Sequence, residues 1–189
     1  MMGLFRIAVA VVAPLLLSAP MMLANAQGLL DQDPLFPFAR NGEGAAIDFL
    51  LMKGAKIGES TPEGETILHI AAANGHFPIV ELALEQGARV DLEDKGGNTA
   101  LTRATARGYT AIVERLLEAG ANLNHQTGEG MTPVMLAVRL NRLSTLQSLL
   151  DRRPDLEVLD YTGRSAMDWA RDGRDRRAEN MLRRAGVTQ

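Results

Sequence analysis

The sequence predicts an all-α solenoid of about five 33-residue helix-turn-helix repeats behind a removable leader, and three sets of rows carry that expectation. Glycines recur at Gly64, Gly97, Gly130 and Gly163, each 33 residues after the last, and two residues beyond each stands a hydroxyl: Thr66, Thr99, Thr132 and Ser165. Two further glycine rows keep the period. One runs Gly54, Gly87, Gly120 and, after a skipped period, Gly186; the other runs Gly42, Gly75, Gly108 with Asn141 next in register. Apolar rows run beside them, Leu35, Leu68, Leu101, Val134, Met167 and Leu51, Leu84, Leu117, Leu150. A fixed period of this size marks a stack of like units, each covering the apolar face of the next, rather than one globule.

The leader comes first along the chain. Arg6 supplies a positive start, Ile7 to Leu17 is apolar apart from Pro14, and Ala24-Asn25-Ala26 puts small residues where a signal peptidase reads. Residues 1–26 therefore read as a signal peptide cleaved before Gln27. Pro14, Pro20 and the small-x-small end argue against a continuous membrane span. Residues 27–189 then divide into periods at about 28–60, 61–93, 94–126, 127–159 and 160–189. Each period holds two short helical segments, for example Ile67 to Asn74 and Pro78 to Gln86. Between them Gly75 can take the left-handed conformation that ends a helix, and Pro78 sits where a missing N–H costs nothing. Helices of about eight residues are unstable alone in water, so each pair must bury its apolar face on its neighbours. Ala71, Ala104, Ala137 and Ala170 are small enough to let adjacent helices approach closely.

Composition narrows the chemistry. The chain has 189 residues, a net charge of -3 and 46% hydrophobic residues, which is the range of a folded domain. With no cysteine, disulfides, thiolate zinc sites and cysteine nucleophiles are excluded together. The mild acidity gives no reason to expect nucleic acid as a partner. Export without cysteine fits a bacterial periplasm, with secretion as the alternative.

The best period reads Thr66-Ile67-Leu68-His69-Ile70-Ala71-Ala72-Ala73-Asn74-Gly75-His76, then Ile79-Val80, Leu82, Leu84 and Gly87-Ala88. The next gives Gly97-Asn98-Thr99-Ala100-Leu101, Ala104, Gly108, Ile112-Val113, Leu116-Leu117 and Gly120-Ala121, and a third begins Thr132-Pro133-Val134-Met135. These resemble the ankyrin repeat, whose period is 33 and whose signature opens Thr-Pro-Leu-His-x-Ala. Weaker copies flank them, one from Asp33-Pro34-Leu35 to Gly54-Ala55 and one from Ser165-Ala166-Met167 to Ala185-Gly186. The resemblance implies short β-hairpin fingers between repeats, a concave face lined by first helices and finger tips, and His69 bonded to backbone across neighbouring repeats. It also implies a binding module rather than an enzyme. Departures mark the ends: Phe36 and Phe38 replace the family's His and Ala, Arg153-Pro154 replaces Gly-Ala, and the charged run from Arg171 to Arg177 suits a C-terminal cap.

No grouping of residues builds a catalytic or metal site. His125 lies near Asn122 and Asn124, where it is expected to be exposed, and has no companion at ligand spacing. Glu59, Glu63 and Glu65, then Asp91, Glu93 and Asp94, fall on turns and read as solvated. Gly128-Glu129-Gly130 lacks the Lys-Ser or Lys-Thr of a phosphate loop. No cofactor and no metal are expected.

What remains is a surface. By the register of the family, Glu63 and Glu65, Lys95 and Asn98, Met131 with Glu129, and Tyr161 with Arg164 stand on successive fingers, and Arg40, Asn74, Arg107, Arg139 and Leu140 on the concave helix row. Exposed Met131, Leu140 and Tyr161 among charges would form an interface core with a polar rim. Charge is uneven along the chain: Glu43 to Lys95 holds ten acidic and four basic residues, whereas Arg171 to Arg184 holds six arginines and three acids. The expectation is an exported monomer that binds a protein partner through this face, without nucleic acid and without membrane contact once the leader is removed. The alternative is an accessory or inhibitory partner of an exported enzyme, or a secreted effector.

Overall fold

The computed structural model describes residues 35–173 and 175–186; the leader read at residues 1–26, and Asp33 of the first copy, lie outside them. Ten helices follow in pairs among the described residues: α1 (Leu35–Asn41) and α2 (Gly44–Met52), α3 (Ile67–Asn74) and α4 (Phe77–Glu85), α5 (Ala100–Arg107) and α6 (Thr110–Glu118), α7 (Pro133–Arg139) and α8 (Leu143–Leu150), α9 (Ala166–Asp172) and α10 (Arg176–Arg184). First helices pack in one file, α1 on α3, α3 on α5, α5 on α7 and α7 on α9; second helices pack in another. The arrangement is the all-α stack that the 33-residue rows predict.

The core is a strip running along the stack. Leu35, Leu68, Leu101, Val134 and Met167 are buried at equivalent places in successive first helices. Ala71, Ala104, Ala137 and Ala170 are at most 3% exposed, so the first helices meet over a seam of methyl groups. Phe36 is buried and Phe38 packs against the same core, so the altered first copy contributes apolar bulk inward.

Four first helices start in the same way. Thr66, Thr99, Thr132 and Ser165 are extended N-cap residues whose side-chain oxygens accept the N–H three residues on, while His69, Thr102, Met135 and Asp168 return a bond to the N-cap N–H. Each such box satisfies two of the backbone donors that a helix start leaves free. No strand forms among the described residues, and the segments between repeats carry only an isolated antiparallel bridge between Ser60 and Thr66, so the expected hairpin fingers are tight turns instead.

Second helices begin differently. Gly75 and Gly108 end α3 and α5 in the left-handed region, and a Cβ on Gly75 would lie 2.8 Å from the Tyr109 ring, so this glycine is required by conformation and by space. Asn141 continues that row at φ 53 and Arg153 continues the Gly54, Gly87, Gly120 row at φ 54, the two described non-glycine residues with positive φ. Asparagine tolerates this region; arginine adopts it at a cost of about 1 kcal/mol, with Pro154 fixing the exit of the chain. At the far end, Arg171, Asp172, Arg176 and Arg177 are exposed as a cap requires. The end face itself is mixed: Leu156, Leu159 and Met167 line an open groove of about 650 Å³ beside Glu157, Asp168 and Arg171.

One buried oxygen in the strip is unsatisfied. Thr105 Oγ1 has no hydrogen-bond partner, in a row whose other buried members are Ala39, Ala72 and Val138. Replacing an unpaired buried hydroxyl by a methyl of the same shape removes a desolvation cost, so Thr105→Val is expected to stabilise the fold by about 1 kcal/mol. Urea denaturation followed by circular dichroism measures it; an unchanged or lower midpoint contradicts the assignment.

Candidate interaction surface

Each finger is organised by one buried side-chain oxygen. Thr61, Asp94, Thr127 and Asp160 open the four described turns, and each backbone carbonyl accepts from the N–H of the glycine three residues on, at 2.7 to 2.9 Å. Their side chains accept the N–H four residues on: Glu65 at 3.2 Å, Asn98 at 3.0 Å, Met131 at 3.3 Å and Arg164 at 3.0 Å. Adjacent fingers are joined by backbone, Lys95 N–H to Glu63 O at 2.9 Å, Gly128 N–H to Gly96 O at 2.9 Å and Tyr161 N–H to Glu129 O at 3.3 Å.

The opening residue alternates between threonine and aspartate, and the helix residue nine positions on alternates with it. Thr61 and Thr127 are followed by apolar Ile70 and Leu136; Asp94 and Asp160 are followed by donors. Arg103 Nε reaches Asp94 Oδ2 at 2.8 Å, and Trp169 Nε1 reaches Asp160 Oδ2 at 2.9 Å. For Asp160, burial pushes the carboxyl up, but the Thr162 hydroxyl, the Arg164 N–H and the Trp169 indole N–H outweigh it and hold the group at about 2. Asp94 behaves alike: burial raises it, and the Asn98 N–H and Arg103 guanidinium bring it below the ordinary value. The expectation that Asp94 is solvated is thus corrected. It is 6% exposed because the finger needs an acceptor there.

The histidines join repeats. His69 Nδ1 accepts the Thr66 N–H at 3.2 Å, so its proton sits on Nε2, which donates to Asn98 O at 3.0 Å. Burial lowers the His69 pKa, consistent with a neutral ring. His76 Nε2 meets Arg40 O at 3.0 Å. His125, expected to be exposed, is half-buried because Nε2 contacts Gly97 O at 2.8 Å, spanning two fingers.

Against this geometry the sequence-derived surface residues separate. Arg40 is exposed and pairs with Glu65 at 3.8 Å, and Glu65 also meets Arg103 at 3.2 Å. Glu63 and Lys95 are exposed at finger tips. Asn74 is exposed but donates back to Ile70 O at 2.8 Å. Asn98 is committed to the stack, donating to both Asp94 oxygens at 3.0 and 3.2 Å. Met131 is the clear correction: it is 1% exposed, not at a tip. Residue 131 closes the turn opened by Thr127, accepting the Thr127 N–H at 3.1 Å, and that return arm lies in the core. Arg107, Arg139, Leu140 and Tyr161 are exposed, and Arg164 is half-buried.

Trp169, Arg103 and the Thr61–Asp94–Thr127–Asp160 row were not legible as site residues. The signal was present in the 33-residue register of that row and in the single tryptophan of the chain. Around Trp169 the structure gathers a cluster: Arg164 stacks on the ring at 3.9 Å and Arg139 lies over it at 5.7 Å. Arg139 also pairs with Glu129 at 3.1 Å, and Arg164 with Asp172. Among the described residues no group of three or more His, Cys, Asp or Glu side chains is arranged to hold a metal.

Stacked helix pairs, boxed N-caps and finger turns at one period leave one comparison to make. Residues 35–127 match the family model of ankyrin repeats, in three copies. No curated protein matches the chain. The matched ankyrin segment spans α1 to α6, and α7 to α10 repeat its helix pairing and finger geometry beyond it. Ankyrin repeats generally mediate protein–protein interaction.

The neutral His69 has a consequence for pH. The unfolded histidine titrates near its ordinary value of 6.5, whereas the folded one resists protonation. Below pH 6.5 the unfolded chain takes up a proton that the folded chain does not, so stability falls as pH drops from about 6.5 towards 5. The Asp160 contribution is lost only lower, between its ordinary 3.8 and about 2. Urea titrations across this range are expected to show a slope between pH 6.5 and 5 that flattens in His69→Gln; an unchanged slope removes His69 as its cause.

Proposed function

We propose that this chain is an exported, non-enzymatic interaction protein that holds a partner protein against its finger tips and first-helix face. The observation that carries the reading is what the stack leaves unused. Arg107 is exposed without an ion pair among the described residues, Leu140 is exposed one period after it, and Tyr161 is an exposed large side chain on the last finger. Arginine and tyrosine are enriched among the residues that dominate binding energy. Export rests on the leader pattern of residues 1–26, and a bacterial periplasm is the compartment in which a cysteine-free exported stack of this kind works.

Simultaneous Arg107→Ala, Arg139→Ala and Tyr161→Ala is expected to abolish capture of a specific partner by the mature chain from an extract of the producing cells, with the partner named by mass spectrometry. Far-UV circular dichroism should stay unchanged. Undiminished capture moves the binding surface elsewhere. Fractionation with N-terminal sequencing tests export: the product should begin at Gln27 in the periplasmic fraction, and an unprocessed, membrane-bound product overturns it.

A further inference from the structure

The cluster around Trp169 has a construction that specifies a ligand chemistry. Arg139 comes from α7, Arg164 from the last finger and Trp169 from α9, so three separate elements converge. The indole is fixed at its edge by Asp160, which its N–H reaches at 2.9 Å. A ring held in this way offers a platform on which planar guanidinium groups rest by cation–π attraction. The arginine side chains are 35% and 30% exposed, less than half as open as the carboxylates they pair with, Glu129 and Asp172, at 72% and 70%. The cations are planted and the anions are not. Exposed ion pairs of this kind contribute little, because solvent competes for both partners. A carboxylate from another molecule can therefore replace Glu129 or Asp172 while the arginines stay in place, having already lost the side-chain freedom that binding would otherwise remove.

The surroundings extend the pattern. Arg107 has no carboxylate partner among the described residues and lies one period before Leu140 in the first-helix row. Leu140 and Tyr161, 38% and 71% exposed, supply apolar surface beside the arginines. Towards the other end Arg40 and Arg103 are already engaged by Glu65, exposed Glu59 and Glu63 stand near by in sequence, and the segment from Glu43 to Lys95 carries ten acidic against four basic residues.

We infer that the first-helix face from α5 to α9 binds an extended acidic segment of a partner protein, its carboxylates on Arg107, Arg139 and Arg164 and an apolar side chain against Leu140 and Tyr161. The inference rests on the proposed interaction role and names the chemistry of the partner. The acidic amino-terminal half repels such a segment, which confines it to the carboxy-terminal half and sets its direction.

The test uses the single tryptophan as its reporter. A tryptophan-free peptide of glutamate alternating with serine around a central phenylalanine is titrated into the mature chain while Trp169 emission is followed. The same peptide with lysine in place of glutamate is titrated in parallel. The glutamate peptide is expected to give a saturable change, weakened about tenfold in each of Arg107→Ala and Arg139→Ala and falling steeply with salt. Glu129→Gln and Asp172→Asn, which remove the competing carboxylates, should tighten binding several-fold, an outcome that a purely structural role for the arginines would not give. Arg89→Ala, in the exposed loop after α4, should leave binding unchanged. Equal response to both peptides, no response up to about 1 mM, or indifference to the arginine and carboxylate variants overturns the inference. If the triple variant loses partner capture while the two peptides behave alike, the face is an interaction surface of another chemistry and only the acidic ligand falls.

Discussion

Helices of seven to nine residues lose more backbone entropy than their own hydrogen bonds recover, so none of the ten is stable without its neighbours. The constraint that follows is that every helix start must be satisfied and every seam must close over the adjacent repeat. The boxes at Thr66, Thr99, Thr132 and Ser165 answer the first demand and the alanine row the second. His69 answers both at once. One ring nitrogen completes the cap of α3 and the other donates to Asn98 O of the next repeat, so protonating the ring breaks the helix start while leaving the bond across the junction in place.

The same constraint decides which residues are free for anything else. A finger residue whose side chain supplies the turn acceptor, closes the turn or bridges to the next finger is consumed by the stack, whatever its polarity. Asp94, Asn98 and His125 are polar and consumed; Leu140 and Tyr161 are apolar and free. Polarity alone therefore misleads in a repeat protein. A stack buries by register, and the alternation of Thr61, Asp94, Thr127 and Asp160 with Ile70, Arg103, Leu136 and Trp169 shows two solutions to one register position, a neutral acceptor with an apolar neighbour or a carboxylate with a donor.

The period, the helix pairs and the glycine at each turn were legible because they depend on backbone conformation, which glycine and proline write directly into sequence. The fate of Met131 was not. It follows glycine in a finger just as Glu65, Asn98 and Arg164 do, and the same closing bond forms in all four fingers; the position borders the core, where the polar three stay half-buried and the apolar methionine is buried fully. The hairpin expectation failed because the N-cap residue of each such helix directly follows the turn-closing position, which leaves no extended arm long enough to form a strand. Trp169 escaped notice because it occupies a row whose other members are Pro37, Ile70, Arg103 and Leu136, so no repeat signature marks it.

Trp169 also ties the exposed face to the stability of one junction. Its indole N–H belongs to the finger through Asp160, while its ring belongs to the surface through Arg139 and Arg164. Arg139 is contributed by the fourth helix pair, and Arg164 and Trp169 by the fifth segment, so the cluster exists only while α9 is docked on α7. In a stack whose cooperativity is nearest-neighbour, the terminal pair is held from one side alone and opens most readily. A ligand that engages Arg139 and Arg164 together binds only the docked form, and by mass action it must strengthen that junction by as much as docking strengthens its own binding. Recognition and the closing of the last repeat are then two readings of one equilibrium.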